Sequence, residues 1–223
     1  MPFDTSPTEN LGHSTATIYN NGASIVQGSP PPYVNNEKYS SYPCLSTPNG
    51  RYVYWINQNL LDWFNTDNDF TFEYYIMVTA VAGSNQWFDY GLEVRQGGQC
   101  VLYNENFYWG MSTVGQNSNY SYGGQIQPRE NIKANTWNHI AVCRFGDKFY
   151  NFFNGKLYPN SKDTSDAKFY SGNNCTVMLG SINNGSQSYY KNLRISNICR
   201  YTHDFSPERM FYDNTIYSNI KTS

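Results

Sequence analysis

Charged residues and long apolar runs are both scarce in this sequence, and each shortage excludes a class of function. Only 14% of the 223 residues are charged, against about 25% in an average globular protein. The 15 Lys and Arg residues are scattered and the net charge is −2, so the clustered cations of a nucleic-acid-binding surface are missing. No apolar run approaches the ~20 residues that cross a bilayer. The N-terminal residues MPFDTSPTENLGHS lack the basic start and apolar block of a secretory signal. We therefore expect no nucleic-acid partner, no membrane span and no signal peptide.

The five cysteines form no metal-binding or disulfide pattern. Their spacing is wide and irregular, without a CxxC or a Cys/His pair at zinc-finger spacing. A Gly-x-Ser-x-Gly nucleophile motif is also missing. We expect free thiols, folding in a reducing cytoplasm and no cofactor.

Aromatic residues and turn formers are abundant instead. Tyr, Phe and Trp make up 17% of the chain, and 17 glycines accompany many asparagines. Aromatic side chains favour strands, whereas Asn and Gly favour the bends between strands. The composition predicts an all-β protein.

The stretch WNHIAVCRFGDKFYNFFNGKL, residues 137–157, contains three short apolar runs. Two-residue breaks separate them, at Gly146-Asp147 and at Asn154-Gly155. Asn-Gly accepts positive φ at both positions of a type I′ turn, whose twist matches a hairpin. The pattern predicts a three-stranded meander.

Other segments add further strands. TATIYNNGASIVQG, residues 15–28, predicts a hairpin at Asn21-Gly22, and NLLDWFNTDN, residues 59–68, favours a short helical turn. DFTFEYYIMVTA, residues 69–80, alternates with period two, which predicts a strand with one side in the core. The core side would carry Phe70, Phe72, Tyr74, Ile76 and Val78, and the other side Thr71, Glu73, Tyr75 and Met77. These elements together predict a two-sheet antiparallel β-sandwich of jelly-roll type.

Several of these segments resemble one known family. DFTFEYYI, the Trp-x-His strand with its Asn-Gly turn, and the closing LRISNICRYTHDFSPE occur in the order found in the laminin G-like (LamG) branch of the concanavalin A-like lectin/glucanase superfamily. The resemblance covers about residues 3–207 and implies one concanavalin A-like sandwich over 1–207. The residues that match the family motif, for which we expect structural roles, are Trp137, His139, Asn154, Gly155, Arg194, Arg200, Tyr201, Phe205 and Pro207.

The closing motif Arg-Tyr-Thr-x-x-Phe-x-Pro is most similar to domains of bacteriophage and other viral structural proteins. This resemblance implies a non-enzymatic virion protein, a capsid decoration or a head or tail fibre subunit, assembled in the host cytoplasm. Its partners would be other virion proteins, in a homo-oligomer or a larger assembly. The alternative is a carbohydrate-binding module for receptor recognition, an adhesin or lectin.

Catalysis is the weakest of the three hypotheses. Glucanases of the superfamily carry Glu-x-Asp-x-(x)-Glu on one strand, which places two carboxylates at the separation of a retaining enzyme. No Glu here is followed two residues later by Asp, and Glu73 and Glu93 lack an acidic partner at strand spacing. Calcium occurs in related lectins, but the weak candidates Asp67 and Asp69 are more typical of turn residues.

Glycan sites need aromatic rings that stack on sugars, with amides or carboxylates that bond their hydroxyl groups. Segments 83–91, 103–110 and 117–125 have this mixture. The candidate glycan- or partner-binding residues are Trp87, Tyr90, Trp109, Tyr120 and Tyr122.

Residues 208–223 lie beyond the family resemblance and are unusually apolar for a terminus. This extension either packs on its own sandwich or docks on a neighbouring subunit. The candidate docking residues are Met210, Phe211, Tyr212, Ile216 and Tyr217.

Overall fold

A computed structural model shows that the part of the chain it describes consists mostly of β-strands. It describes residues 17–27, 43–56, 68–79, 84–90, 98–103, 106–111, 122–126, 133–158, 176–180 and 187–207. The strands are β1 (Thr17–Asn21), β2 (Ser24–Gln27), β3 (Pro43–Thr47), β4 (Tyr52–Ile56), β5 (Phe70–Val78), β6 (Ser84–Tyr90), β7 (Gly98–Tyr103), β8 (Asn106–Met111), β9 (Tyr122–Ile126), β10 (Asn138–Phe145), β11 (Lys148–Phe153), β12 (Lys156–Tyr158), β13 (Thr176–Gly180) and β14 (Ser188–Ser196).

The strands form two seven-stranded antiparallel sheets. The first sheet has the order β1-β4-β13-β6-β7-β8-β9, and the second has the order β12-β11-β10-β5-β14-β3-β2. The backbone N–H of Gly180 in the first sheet donates to the Tyr190 hydroxyl of the second at 3.2 Å. The Tyr190 side of the second sheet therefore faces the first sheet. This arrangement confirms the predicted two-sheet antiparallel sandwich of the concanavalin A-like type.

The meander of β10, β11 and β12 is confirmed at residue level. Phe145 pairs with Lys148 across the first turn, and Phe153 pairs with Lys156 across the second. Asn154 and Gly155 both have positive φ, 51° and 77°, as a type I′ turn requires.

Strand β5 is buried on both faces, which corrects the prediction of one buried side. Phe70, Phe72, Tyr74, Ile76 and Val78 share the inner face with Tyr190 and are all buried. Thr71, Glu73 and Tyr75 on the outer face have no exposed surface either. The reason is that residues 197–207, here called the closing segment, return across this face of the second sheet.

Hydrogen bonds hold the closing segment in place. Thr71 Oγ1 donates to the carbonyl of Ile198 at 2.8 Å, and the Tyr75 hydroxyl donates to the carbonyl of Pro207 at 3.1 Å. The backbone N–H of Phe205 donates to the carbonyl of Gly155 at 2.8 Å. The outer face of the second sheet is therefore covered from β5 to the β11–β12 turn.

The predicted hairpin at residues 15–28 is wrong in its pairing. Strand β1 pairs with β4 in the first sheet, and β2 pairs with β3 in the second. Gly22 has a φ of 81° and Ala23 is buried, with its N–H bonded to the Asn20 side chain at 2.8 Å. A hairpin tip would be exposed, whereas this turn carries the chain from one sheet to the other. The predicted helical turn at 59–68 lies outside the described residues, apart from Asn68.

Within the described ranges, no helix has the length and apolar character needed to cross a membrane.

Candidate functional site

A buried carboxylate, Glu73 on β5, lies beneath the closing segment with four partners around it. Arg194 Nε donates to Glu73 Oε1 at 2.5 Å, and the Tyr201 hydroxyl donates to Oε2 at 3.2 Å. His139 Nε2 lies 3.4 Å from Oε2, and Arg200 Nε lies 3.8 Å from Oε1. Arg194 Nη2 also donates to the Tyr201 hydroxyl at 3.1 Å. We call these five side chains the Glu73 cluster.

The protonation states in the Glu73 cluster follow from burial and charge. Burial alone would raise the pKa of Glu73, but the hydrogen bond from His139 and the Arg194 guanidinium outweigh it, and the pKa is lowered. Burial lowers the pKa of His139 despite the neighbouring carboxylate. Burial, and then the charge of Glu73, raise the pKa of Tyr201. The cluster at neutral pH therefore holds an ionised Glu73, a neutral imidazole and a protonated phenol.

The placement of the Glu73 cluster indicates a structural role rather than a catalytic one. Glu73 and His139 have no exposed surface, so a substrate would reach them only after removal of the closing segment. The cluster connects β5, β10 and β14 to the closing segment through Arg200 and Tyr201.

Several other family-motif residues also hold the closing segment against the second sheet. The Asn154 side chain accepts the backbone N–H of His139 at 2.8 Å, and the Gly155 carbonyl accepts that of Phe205. The Phe205 ring packs on Phe152, with ring centroids 5.1 Å apart. Trp137 is buried in a separate cluster with Cys44 and Tyr75, where Lys191 Nζ lies 5.6 Å from its ring centroid.

Asp69, one of the two calcium candidates, has a turn role. Its Oδ1 accepts the backbone N–H of Gly146 at 2.8 Å, which ties β5 to the β10–β11 turn. Asp67 lies outside the described residues. Among the residues that the structure describes, no group of three or more His, Cys, Asp or Glu is placed to hold a metal ion.

Strand register locates the predicted glycan residue Trp109. Across the first sheet, Val53 pairs with Leu179, Leu179 with Phe88, Phe88 with Cys100, and Cys100 with Trp109. Val53 and Leu179 have no exposed surface. Trp109 therefore occupies the register position in line with Val53 across the first sheet.

The other glycan candidates divide into three groups. Tyr90 pairs with Val177 and with Gly98, and Tyr122 pairs with Met111. Trp87 lies at the register shift between Gln86 and Phe88, and Tyr120 is outside the described residues. The glycan role of these side chains stays a prediction.

The outer face of the first sheet carries a row of tyrosines near its β1 edge. Tyr19 stacks on Tyr54 with ring centroids 4.6 Å apart and an angle of 14° between the rings. Tyr52 lies next along β4, 5.9 Å from Tyr54 between centroids. Tyr19 is 44% exposed, and its second ring face points away from Tyr54, towards the sheet edge. We call Tyr19, Tyr52 and Tyr54 the tyrosine row.

Polar groups flank the tyrosine row. Arg51 is exposed and its Nη1 donates to the Asn21 side-chain oxygen at 3.4 Å. Desolvation, and then the phenols of Tyr19 and Tyr52, raise the pKa of Tyr54, so its hydroxyl stays protonated. The arrangement combines an exposed ring face with guanidinium, amide and hydroxyl groups.

Sequence reasoning missed the tyrosine row, although a signal was present. In GRYVYWI the tyrosines at 52 and 54 alternate with the buried Val53, so they lie on the face opposite the core. The partnership with Tyr19 depends on β1 pairing with β4, which the predicted hairpin obscured.

A family model, Laminin_G_3, described as the concanavalin A-like lectin/glucanases superfamily, matches residues 47–204. No curated protein is significantly similar to the chain in sequence.

Solved structures with the same fold include toxin binding domains. The binding domain of botulinum neurotoxin serotype D is 12% identical, with a TM-score of 0.62 over 87% of this chain and 46% of that one. The binding domain of Paraclostridial Mosquitocidal Protein 1 is 16% identical, with a TM-score of 0.63 over 89% of this chain and 48% of that one. The chain spans less than half the length of these structures, and identities this low show the fold alone. Because the family model covers most of the chain, this protein belongs to the Laminin_G_3 family of the concanavalin A-like lectin/glucanases superfamily.

Proposed function

We propose that this chain is a non-enzymatic binding module that recognises a glycan through the outer face of its first sheet. The observation that carries the proposal is the exposed Tyr19 ring face beside Arg51 and Asn21. The closing segment covers the corresponding face of the second sheet from β5 to the β11–β12 turn. The structural neighbours, which are toxin binding domains, support a binding role.

The chemistry of the site matches a sugar ring. The apolar face of a pyranose can pack on the free face of Tyr19, while Arg51, Asn21 and the tyrosine hydroxyls bond its hydroxyl groups.

Tyr19→Ala should weaken glycan binding about tenfold, equivalent to about 1.4 kcal/mol, because it removes the exposed stacking face. A glycan array would identify the ligand, and titration calorimetry would compare the variant with the wild type. Phe145→Ala is the matched control, since Phe145 is an exposed aromatic residue on the second sheet.

Two outcomes distinguish an error in the proposed glycan-binding function from an error in the proposed binding site. If the wild-type protein binds no glycan on the array, the proposed function is refuted. Wild-type binding that is unchanged in Tyr19→Ala, Tyr54→Ala and Trp87→Ala would leave the function and refute these sites.

A second proposal concerns where the module works. We infer a virion component, a capsid decoration or fibre subunit assembled in the host cytoplasm, and the closing motif shared with viral structural domains supports this. The extension at 208–223, outside the described residues, would dock on a neighbouring virion protein.

The full chain should therefore sediment with virus particles purified from a lysate of the cells that produce it. A chain truncated after Pro207 should lose the particles but keep its glycan affinity, because the tyrosine row is unchanged. Free monomer in the lysate, with none of the chain in the particles, would contradict the virion role.

A further inference from the structure

Two of the cysteines meet beneath the closing segment. Cys143 on β10 has no exposed surface, and Cys199 in the closing segment is half-buried. Both belong to one cluster, in which Cys199 packs against Cys143, Ala141 and Phe152. The Cys199 thiol donates to the carbonyl of Tyr201 at 3.3 Å.

The hydroxyl of Thr71 holds the residues around Cys199 close to Cys143. Thr71 Oγ1 lies 3.4 Å from Cys143 Sγ and donates to the Ile198 carbonyl at 2.8 Å. It also accepts the backbone N–H of Arg200 at 2.9 Å. One side chain thus binds the residues on both sides of Cys199 and holds that thiol over β10.

We propose that Cys143 and Cys199 are a disulfide-forming pair that ties the closing segment to β10 when the protein meets a small-molecule disulfide oxidant. The closing segment already packs Cys199 against the cluster that contains Cys143, and closure would form an S–S bond of about 2.05 Å. The linked residues are far apart in sequence, and a long closed loop is where a disulfide restricts the unfolded chain most.

The two thiols have different roles in the reaction. The hydrogen bond from Cys143 lowers the pKa of Cys199, whereas burial raises the pKa of Cys143. The Cys199 thiolate attacks one sulfur of the oxidant, which forms a mixed disulfide and releases the first thiolate. Cys143 then attacks the Cys199 sulfur and its proton passes to the second departing thiolate. Two protein thiols are oxidised, and one oxidant disulfide is reduced to two thiols.

The test uses the reduced full-length chain and glutathione disulfide. After oxidation and alkylation, peptide mapping should show Cys143 joined to Cys199, and the melting temperature should rise by roughly 5–10 °C. Dithiothreitol should reverse both changes. Cys44→Ser, which alters a buried thiol in another cluster, should keep them, and Cys199→Ser should lose them.

Two results would overturn the pairing. One is a Cys199 that stops at the mixed disulfide with glutathione, and the other is full alkylation of both thiols after oxidation. The wild-type peptide map decides between these results even when a cysteine variant fails to fold, and it is independent of glycan binding.

Discussion

Glu73→Gln should lower the free energy of unfolding by about 3–5 kcal/mol at neutral pH, the usual cost of breaking a buried ion pair. The substitution keeps the shape of the side chain but removes the charge that faces Arg194 and Arg200. The Tyr201 hydroxyl would lose a charged acceptor as well. Urea denaturation of the two proteins measures the difference.

The pH dependence of that difference has a defined sign. The folded-state pKa of Glu73 is lowered, so its contribution is fully present above the unfolded value of about 4.3. The contribution is lost as the pH falls through the folded pKa. A protonated Glu73 is as neutral as the amide that replaces it in the variant. The gap in stability between wild type and Glu73→Gln should therefore be constant near pH 7 and narrow below about pH 4.

Two further variants identify the cause of the loss. Asp147→Asn removes an exposed acid from the β10–β11 turn and should stay within about 0.5 kcal/mol of wild type. Adding Arg194→Met to Glu73→Gln should recover part of the stability, because the half-buried cation that has lost its carboxylate is then gone. A Glu73→Gln protein as stable as wild type would show that the cluster contributes no net stability.

Period-two alternation was sufficient to predict the inner face of β5 but not its outer face. Phe70, Phe72 and Tyr74 are buried as their spacing indicates. Thr71 and Glu73 also carry the polarity of a solvent-facing side, yet the closing segment covers them. Its contacts join residues more than 120 positions apart, such as Thr71 with Ile198 and Glu73 with Tyr201. Local patterns contain no information about such a return of the chain.

The candidate binding surface shows the same limit of local patterns. Aromatic residues were assigned to glycan binding by the polar residues beside them in sequence, which does not determine the face of the sheet. Pairing from Val53 through Leu179 and onward puts Trp109 in line with Val53 across strands that are distant in sequence. The exposed Tyr19 was overlooked because its stacking partner Tyr54 lies on a strand distant in sequence. Family-motif residues were easier to interpret, since each motif combined a turn or strand signal with a fixed spacing.

Gly155→Ala should destabilise the domain by about 3–5 kcal/mol, through two effects on the β11–β12 turn. Gly155 has a φ of 77°, which an L side chain disfavours. An added Cβ would also overlap the carbonyl oxygen of Phe205 and lie 2.8 Å from Cδ of Pro207. The closing segment would have to move, and the hydrogen bond from Phe205 N–H to the Gly155 carbonyl would break.

Gly146→Ala separates the two effects. Gly146 occupies the preceding turn of the same meander with a φ of 56°, but no atom lies within 4 Å of an added Cβ. This control should cost about 1–2 kcal/mol, the backbone term alone. Equal losses in the two variants, measured by urea denaturation, would show that the closing segment yields to the methyl group at no cost.

Combining Gly155→Ala with Glu73→Gln tests whether the turn and the Glu73 cluster act on one element. Both substitutions loosen the closing segment, one at Phe205 and the other at Tyr201, so the second should cost less once the first is present. We expect the double variant to lose clearly less stability than the sum of the single losses. The amides of β5 and β10 should exchange hydrogen faster in each single variant, because the segment that covers their outer face is released. If the two losses of stability are strictly additive, the turn and the Glu73 cluster stabilise the sandwich independently. The closing segment would then be held by two separate contacts and would not be released as a unit.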